Sequence, residues 1–443
     1  MNSGQWAVNS KTNRLIIRNG IIVTVNEIFR GDILIVDERI ANVAPNIDDA
    51  DTQVIDASGY HILPGLIDAH VHLRDPGATH KEDFFTGTRA ALAGGVTTVL
   101  DMPNNPIPTT SRSAFQDKRT LARAKAVCDY GFFIGGTPSN AKEIADSAAV
   151  GIKLYMGATT GDLLVAEFDA LYPHFITPSK LPLVVHAEDN DSLKFFARDS
   201  TRQRHSAKRP PLSAALAVSR ALALAEETGR QLHIAHLSTA HEIELVRAAK
   251  SRGGHVSCEV TPQHLFLTIE DGDRLGAYGV VNPPLRSRSE VRALWSGLAH
   301  VDLIATDHAP HTIEEKESAK PPSGMTGLET TLPLLLTAAN ENRLTLQDIA
   351  RLTAHNPARV YHLARKGDIA RGNDADLVFV KLDEDYILQK PWQTKCNWSP
   401  FEGRRVRGKI ARVFLRGREV VTNGEILAEA GYGKETSLTM ISN

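Results

Sequence analysis

An alternation in the middle of the chain restricts its fold more than any other feature. Short apolar runs at 65–69, 97–101, 151–155, 181–186, 231–235, 255–259 and 301–306 are separated by stretches of helical periodicity, clearest at 82–93, 213–227, 240–252 and 290–298. A strand that must lie parallel to its predecessor needs a crossover of a dozen or more residues, and a helix supplies one. Gly94-Gly95 and Gly253-Gly254 close two of these helices, as residues tolerant of left-handed backbone do. Seven or eight such units predict a (β/α)8 barrel rather than an open sheet.

Both ends of the chain read differently. Residues 14–25 and 32–43 are rich in Ile and Val and are broken by Asn-Gly and Asp-Glu turns. Residues 376–380 and 409–421 repeat this pattern, followed by a Thr422-Asn423-Gly424 turn. The expected fold class is therefore α/β. A TIM-like (β/α)8 barrel at 65–365 carries a small β-sandwich domain built from both chain ends, 1–64 and 366–443. Residues 321–326 (PPSGMT) are expected to form a mobile loop.

Side chains that are costly to bury stand at the ends of the apolar runs. They are His70 and His72 after GLIDA, Lys153 within GIKLY, His186 after LPLVV, His236 after LHIA, and Asp307 after LIAT. In a (β/α)8 barrel the C-terminal strand ends form one rim, so these groups converge. Imidazoles, an ammonium and a carboxylate buried together need compensation, and bound metal supplies it. His70-Val71-His72 has the two-residue period of a strand, which turns both rings to one side. Alone, a His-x-His pair is more often two ordinary histidines. Joined by His186, His236 and Asp307 it reads as a metal cluster, because neutral imidazoles and carboxylates suit Zn²⁺.

Lys153 stands apart in such a set, since an ammonium would repel the cations. A buried lysine loses its proton readily. The neutral amine can add to CO2 and become an anionic carbamate able to bridge two metals. Spacing alone is equally compatible with a lysine paired to a nearby carboxylate; the constellation around it favours the carbamate. Other polar residues read as less informative. His255 and His264 are structural, His308 points away from Asp307, and His355 is an ordinary helical residue. Glu188 and Asp189 are supporting or solvated, and 404–407 (RRVR) is a solvated surface.

Charge and composition exclude other classes of partner. Fifty Lys and Arg against 52 Asp and Glu give a net charge of −2, without the basic excess of a nucleic-acid binder. No apolar run approaches the roughly 18–20 residues of a membrane span, and the polar residues 1–14 do not resemble a secretory signal. Cys128, Cys258 and Cys396 are odd in number and far apart, which argues against a disulfide framework and for the reducing cytoplasm. The expected partner is a small-molecule substrate.

Six segments together resemble the dihydroorotases of the cyclic amidohydrolase superfamily. They are PGLIDAHVHLRDPG (64–77), DMPN (101–104), KLYM (153–156), HAED (186–189), ATDHAPHTIEEK (305–316) and GLET (327–330). The resemblance is collinear from about residue 64 to 403. It implies two Zn²⁺ per chain: His70 and His72 bind one with Asp307, His186 and His236 bind the other, and carboxylated Lys153 bridges them. It implies that Arg74 and Asn104 hold the substrate carboxylate, that Asn282 (VNPPLR) and His311 (DHAPH) contribute, and that Ser323 offers a backbone contact. The implied reaction is the reversible closure of N-carbamoyl-L-aspartate to L-dihydroorotate in pyrimidine biosynthesis, with Asp307 carrying the proton. A homodimer and association with aspartate transcarbamoylase are the implied assemblies.

Sister families set the alternatives. Allantoinases tend to lack the arginine after HxHL and the asparagine after DMP. Hydantoinases carry a tyrosine shortly after the bridging lysine, where this chain has Ala158, with Tyr155 too close to the lysine to match. Non-catalytic relatives have lost metal ligands, whereas here each ligand position is filled. Some dihydroorotases bind a third zinc through a cysteine and a glutamate; Glu259 is present but the cysteine position is Ala235, which argues against a third metal. Cys258 reads as a core thiol.

Overall fold

The computed structural model describes residues 13–49 and 52–438, and in it the alternation closes into a barrel. Eight parallel strands follow one another in chain order: Leu66–Val71, Val96–Asp101, Asp129–Gly135, Gly151–Tyr155, Leu183–His186, Leu232–Ile234, Val256–Val260 and Leu303–Ile304. A bridge between Val71 and His308, with the His72 N–H donating to the His308 carbonyl at 2.8 Å, joins the last strand to the first. Neighbouring side chains of a strand face opposite ways. Leu100, Phe133, Val184 and Leu303 pack with Tyr361 inside the ring. Val99, Ile134, Val185 and Ile304 pack outward in the layer shared with the helices. Burial on both faces is what an all-parallel sheet requires.

The helices begin where capping chemistry allows. Phe84–Ala93 starts from Asp83, whose carboxylate accepts the Thr86 N–H at 2.9 Å in a reciprocal capping box. It is followed by Gly95 at φ +79°, a backbone that a side chain would strain. The third barrel strand, Asp129–Gly135, is the one the apolar runs do not reveal. It opens on an acid and contains Gly131, both uncommon in strands. A Cβ at Gly131 would approach Val150 to 2.7 Å and Leu100 to 2.9 Å, so close strand packing explains the glycine.

Strands from both chain ends form one mixed sheet of nine. His61–Pro64 lies between Arg14–Val23 and Leu377–Ile387, joining the two ends. Leu377 and Phe379 pack with Ile17, Ile22, Ile33 and Ile35 in a separate small core, while Val378 and Val380 of the same strand join the barrel-side core. The C-terminal part is not confined to this sheet. Residues 434–436 run beside the third barrel strand, with the Tyr130 N–H donating to the Lys434 carbonyl at 3.0 Å and the Thr436 N–H to the Tyr130 carbonyl at 2.8 Å. Trp398 and Phe401 return to pack with Met325 and Leu267 near the rim. Among the described residues no helix is long and apolar enough to cross a membrane.

A buried charge hub fastens these parts together. The Lys366 ammonium lies 2.7 Å from Asp129 of the barrel, 3.1 Å from Asp374 and 2.6 Å from Asp376. Asp129 also pairs with Arg416 and Asp374 with Arg365, so removing the lysine would leave buried Asp376 without a cationic partner. Lys366→Met should therefore destabilise the fold by about 3–5 kcal/mol, measured by urea unfolding at neutral pH; a loss under about 1 kcal/mol would show that the hub relaxes into water.

Candidate active site

The C-terminal rim of the barrel gathers the polar residues. A cavity at this rim is lined by His70, His72, Lys153, His186, His236 and Asp307, with Arg74, Asn104, Asn282 and Ser323 also in its wall. His311 stands behind that wall, its Nε2 3.2 Å from an Arg74 guanidinium nitrogen. Arg74, His236 and Asp307 hold φ angles of +62°, +39° and +49°. Left-handed backbone costs a residue with a side chain about 1–2 kcal/mol. Three such residues at one rim mark a place where the fold aims side chains at a cost in stability.

Three of the four histidines share one arrangement. The outer ring nitrogen faces an oxygen: His70 Nδ1 meets Glu259, His72 Nδ1 donates to Asn104 Oδ1 at 2.7 Å, and His186 Nε2 lies 3.1 Å from a Glu188 oxygen. The inner nitrogen of each then points toward the cavity and its other polar groups, as for metal-ligating imidazoles whose tautomer is set from outside. His70 Nε2 and His72 Nε2 lie 3.4 and 3.1 Å from Asp307 Oδ1. These three ligand atoms lie within 4.8 Å of one another, so the group could hold a metal ion. His186 Nδ1 and His236 Nε2 face each other at 2.9 Å. Two imidazole nitrogens this close can share one proton or a cation.

Electrostatics keeps the donors in their binding forms. Burial pushes His72 down to about 4, and it also lowers His186 and His236, so these rings are neutral. Burial alone would raise Glu188 and Glu259, but Arg209 and His186 outweigh it at Glu188, and His70 and His233 at Glu259. Both carboxylates stay ionised. Lys153 Nζ is wholly buried and makes no hydrogen bond, and burial draws it down to about 8. An unpartnered amine among histidines is a poor structural device and a fitting position for a modified, anionic side chain.

One part of the lining is cationic. Arg74 is only 5% exposed. Its Nε donates to the Pro310 carbonyl at 3.1 Å and a terminal nitrogen meets neutral His311, so neither bond is to a carboxylate, and Asp307, Asp101 and Glu315 act on its charge only through space. Asn104 Nδ2 donates to the Thr160 carbonyl at 3.0 Å, and Thr160 Oγ1 donates to the Ser323 carbonyl at 3.3 Å. Two loops thus meet across the mouth. The segment expected to be mobile is tied down: the Gly324 N–H donates to the Val280 carbonyl at 3.0 Å, and the Met325 carbonyl accepts the Ala309 N–H at 2.7 Å.

Residues 61–420 match the family model described as the amidohydrolase family. The chain belongs to the amidohydrolase family. It is 35% identical over 431 residues to the dihydroorotase of Methanosphaera stadtmanae, covering 95% of each chain. It is 41% identical over 378 residues to the multifunctional protein CAD of Squalus acanthias, covering 84% of this chain but 15% of that protein. Among solved structures, L-hydantoinase (dihydropyrimidinase) from Arthrobacter aurescens superposes with a TM-score of 0.93 at 32% identity, over 96% of this chain and 100% of that one.

Several residues of this amidohydrolase take places that the sequence reading did not assign. Glu259 orients His70 and also lies 3.1 Å from His233 Nε2, while Ala235 beside it is packed in the barrel interior. Glu259 stands at the end of an apolar run like the other site residues, so the same signal marked it. Glu188, read as supporting or solvated, takes the first of these roles: it is buried, held by Arg209 at 3.1 Å and beside His186. Tyr155 lines the cavity despite its closeness to Lys153, and Thr159 and Thr160 join it; no spacing rule pointed to these loop residues. The residues set aside behave as expected, apart from His255, which is exposed instead of structural, and Arg404. His264 is buried on Thr261 and Pro283, His308 accepts the Gly327 N–H, and His355 pairs with Asp368. Arg404 is half-buried over Phe266.

Proposed function

We propose that this amidohydrolase is a dihydroorotase, closing N-carbamoyl-L-aspartate to L-dihydroorotate and opening it again in pyrimidine biosynthesis. The observation that carries the reading is Arg74: a buried guanidinium with no carboxylate hydrogen-bonded to it, lining the same cavity as Asn104 and the histidines. A ring acid brings the missing carboxylate; hydantoin and dihydrouracil do not. The second reading, a hydantoinase-type ring hydrolase, draws on the Tyr155 hydroxyl, which is buried beside the cavity without a partner.

Two Zn²⁺ per chain fit the donor set. His70, His72 and Asp307 would hold one, His186 and His236 the other, and Lys153 as a carbamate would bridge them. Once bound, such ions supply polarisation of the ring carbonyl and a stronger oxygen nucleophile at neutral pH. The chain's own groups do the rest. Arg74 clamps the exocyclic carboxylate, with Asn104, Asn282, His311 and the Ser323 backbone fixing its orientation. Asp307 accepts the proton of the attacking water and delivers it to the departing ring nitrogen; in ring closure it returns that proton. The loops meeting at Thr160 and Ser323 exclude bulk water. A cytoplasmic homodimer able to associate with aspartate transcarbamoylase belongs to the same reading. So does the division into 1–64, 65–365 and 366–443.

The test is a substrate panel combined with a zinc assay. Dihydroorotate should be opened far faster than hydantoin, dihydrouracil or allantoin, by protein holding about two zinc per chain. Arg74→Met should lower kcat/KM for dihydroorotate by about 100-fold, the loss of a charge-assisted clamp. Faster hydantoin turnover, or an Arg74→Met variant with unchanged dihydroorotate kinetics, would move the protein to a sister family.

A further inference from the structure

Lys316 is a buried cation that the reaction above does not use. It ends the short helix Ile313–Lys316 and has no exposed surface. Lys118 and Lys366 are also buried, yet each has a carboxylate within 2.7 Å. Among the described residues no carboxylate comes within ion-pair reach of Lys316. Its Nζ donates instead to two main-chain carbonyls, Val280 at 3.2 Å and Pro322 at 2.9 Å, and faces the Trp398 ring 5.5 Å from its centroid. Burying an ammonium on carbonyls alone is costly, and burial draws this one down to about 7. Any aliphatic side chain would fill the space at lower cost, so the charge itself needs a reason.

Each group that Lys316 touches adjoins the carboxylate end of the cavity. Val280 precedes Val281 and Asn282, and Pro322 precedes Ser323, all three on the cavity wall. The Trp398 indole N–H donates to the His311 carbonyl at 2.7 Å, and the Trp398 carbonyl accepts the Thr326 hydroxyl at 2.9 Å. His311 in turn reaches Arg74 and, at 3.2 Å, the Ser323 carbonyl. Three chain segments distant in sequence therefore meet at one ammonium and one indole. A compact cation with three donors can hold carbonyls of different loops at once, here the Val280 carbonyl, which also accepts the Gly324 N–H, and the Pro322 carbonyl.

We infer that Lys316, braced by Trp398, is a positioning residue that sets the loops carrying Asn282, His311 and Ser323 in register around the substrate carboxylate. Lys316 touches neither the cavity nor the histidines, so it acts on recognition and not on the chemical step. This inference rests on the dihydroorotase reading.

The experiment compares wild type, Lys316→Met and Trp398→Phe, the last keeping an aromatic face and removing the indole N–H with the pyrrole half of the ring. With dihydroorotate, KM should rise by about tenfold or more in both variants, since displacement of a positioned group by about an ångström can cost up to 100-fold. The competitive inhibition constant of orotate, the flat ring acid, should weaken in parallel, while kcat stays within about threefold and zinc content is unchanged. Unchanged KM and orotate inhibition in folded Lys316→Met would overturn the inference. So would a collapse of kcat and zinc together with KM, which marks a merely structural residue. If Lys316→Met does not accumulate as folded protein, Trp398→Phe decides by the same criteria. A wild-type protein inert toward dihydroorotate instead sinks the earlier reading, and the two failures are told apart by that one control.

Discussion

Lys153→Ala should give a folded protein that no longer retains metal and whose turnover falls by well over 100-fold, the upper range for residues that only orient a metal ligand. The fold should survive because Lys153 Nζ makes no hydrogen bond and holding an ammonium there is itself costly. Metal should be lost because the remaining donors sort into two groups, His70, His72 and Asp307 on one side and His186 with His236 on the other, and Glu259, which touches both, does so from outside through His70 Nδ1 and the His236 backbone N–H. A second measurement separates a carbamate from a plain lysine. Carbamate formation needs the neutral amine, and an amine lowered to about 8 is roughly 1% neutral at pH 6 and roughly 90% neutral at pH 9. Metal-stripped wild type given zinc should therefore regain activity faster with bicarbonate than without, and faster at pH 9 than at pH 6. Full zinc content and turnover in Lys153→Ala, or recovery indifferent to bicarbonate, would reduce this lysine to a packing residue.

One rule, that a polar residue ending an apolar run in a barrel faces the rim, sufficed to pick out His70, His72, Lys153, His186, His236 and Asp307 from the sequence. The rule reflects a physical necessity, because a strand buried on both faces tolerates such groups only where something compensates them. It applies equally to Glu259, whose partnership with His70 depends on two strands 189 residues apart in sequence and has no local signature. The third strand escaped because a buried acid and a close-packing glycine are choices made by neighbours, Lys366 and Val150, and not by the strand itself. The left-handed backbone at His236 and Asp307 is equally invisible, since His and Asp enter that region more often than most residues but still only in a small minority of positions. Least legible was the return of Trp398 to the rim. A strand-rich C-terminal region suggests a self-contained β domain, and only the packing of Trp398 on His311 and Lys316 shows that it also supports the site.

Asp307→Asn isolates the proton transfer from the geometry around it. Burial would raise the Asp307 carboxyl, but His70 and His72 outweigh that and hold it below the ordinary carboxylate range, so it is ionised at neutral pH and free to accept a proton. Asparagine keeps the oxygen that lies 3.1 Å from His72 Nε2 and nearly the same volume, and it fits the same left-handed backbone better than most residues do. What it loses is the charge and the capacity to take up a proton. kcat should fall by about 10²–10⁴-fold, the range for a positioned acid–base group, with KM for dihydroorotate changed far less because Arg74 holds the carboxylate. Asp307 also belongs to the candidate ligand set, so the assay needs zinc in excess and a direct zinc count on the same sample. The pH profile then separates the two roles. In wild type kcat should decline as acid protonates Asp307, at a pH below the ordinary carboxylate value; in the variant that acidic limb should vanish while the low residual rate climbs with hydroxide concentration. A zinc-loaded Asp307→Asn enzyme with wild-type kcat, or with the acidic limb intact, would place the proton carrier elsewhere, and buried Glu259, already committed to His70 and His233, would be badly placed to replace it.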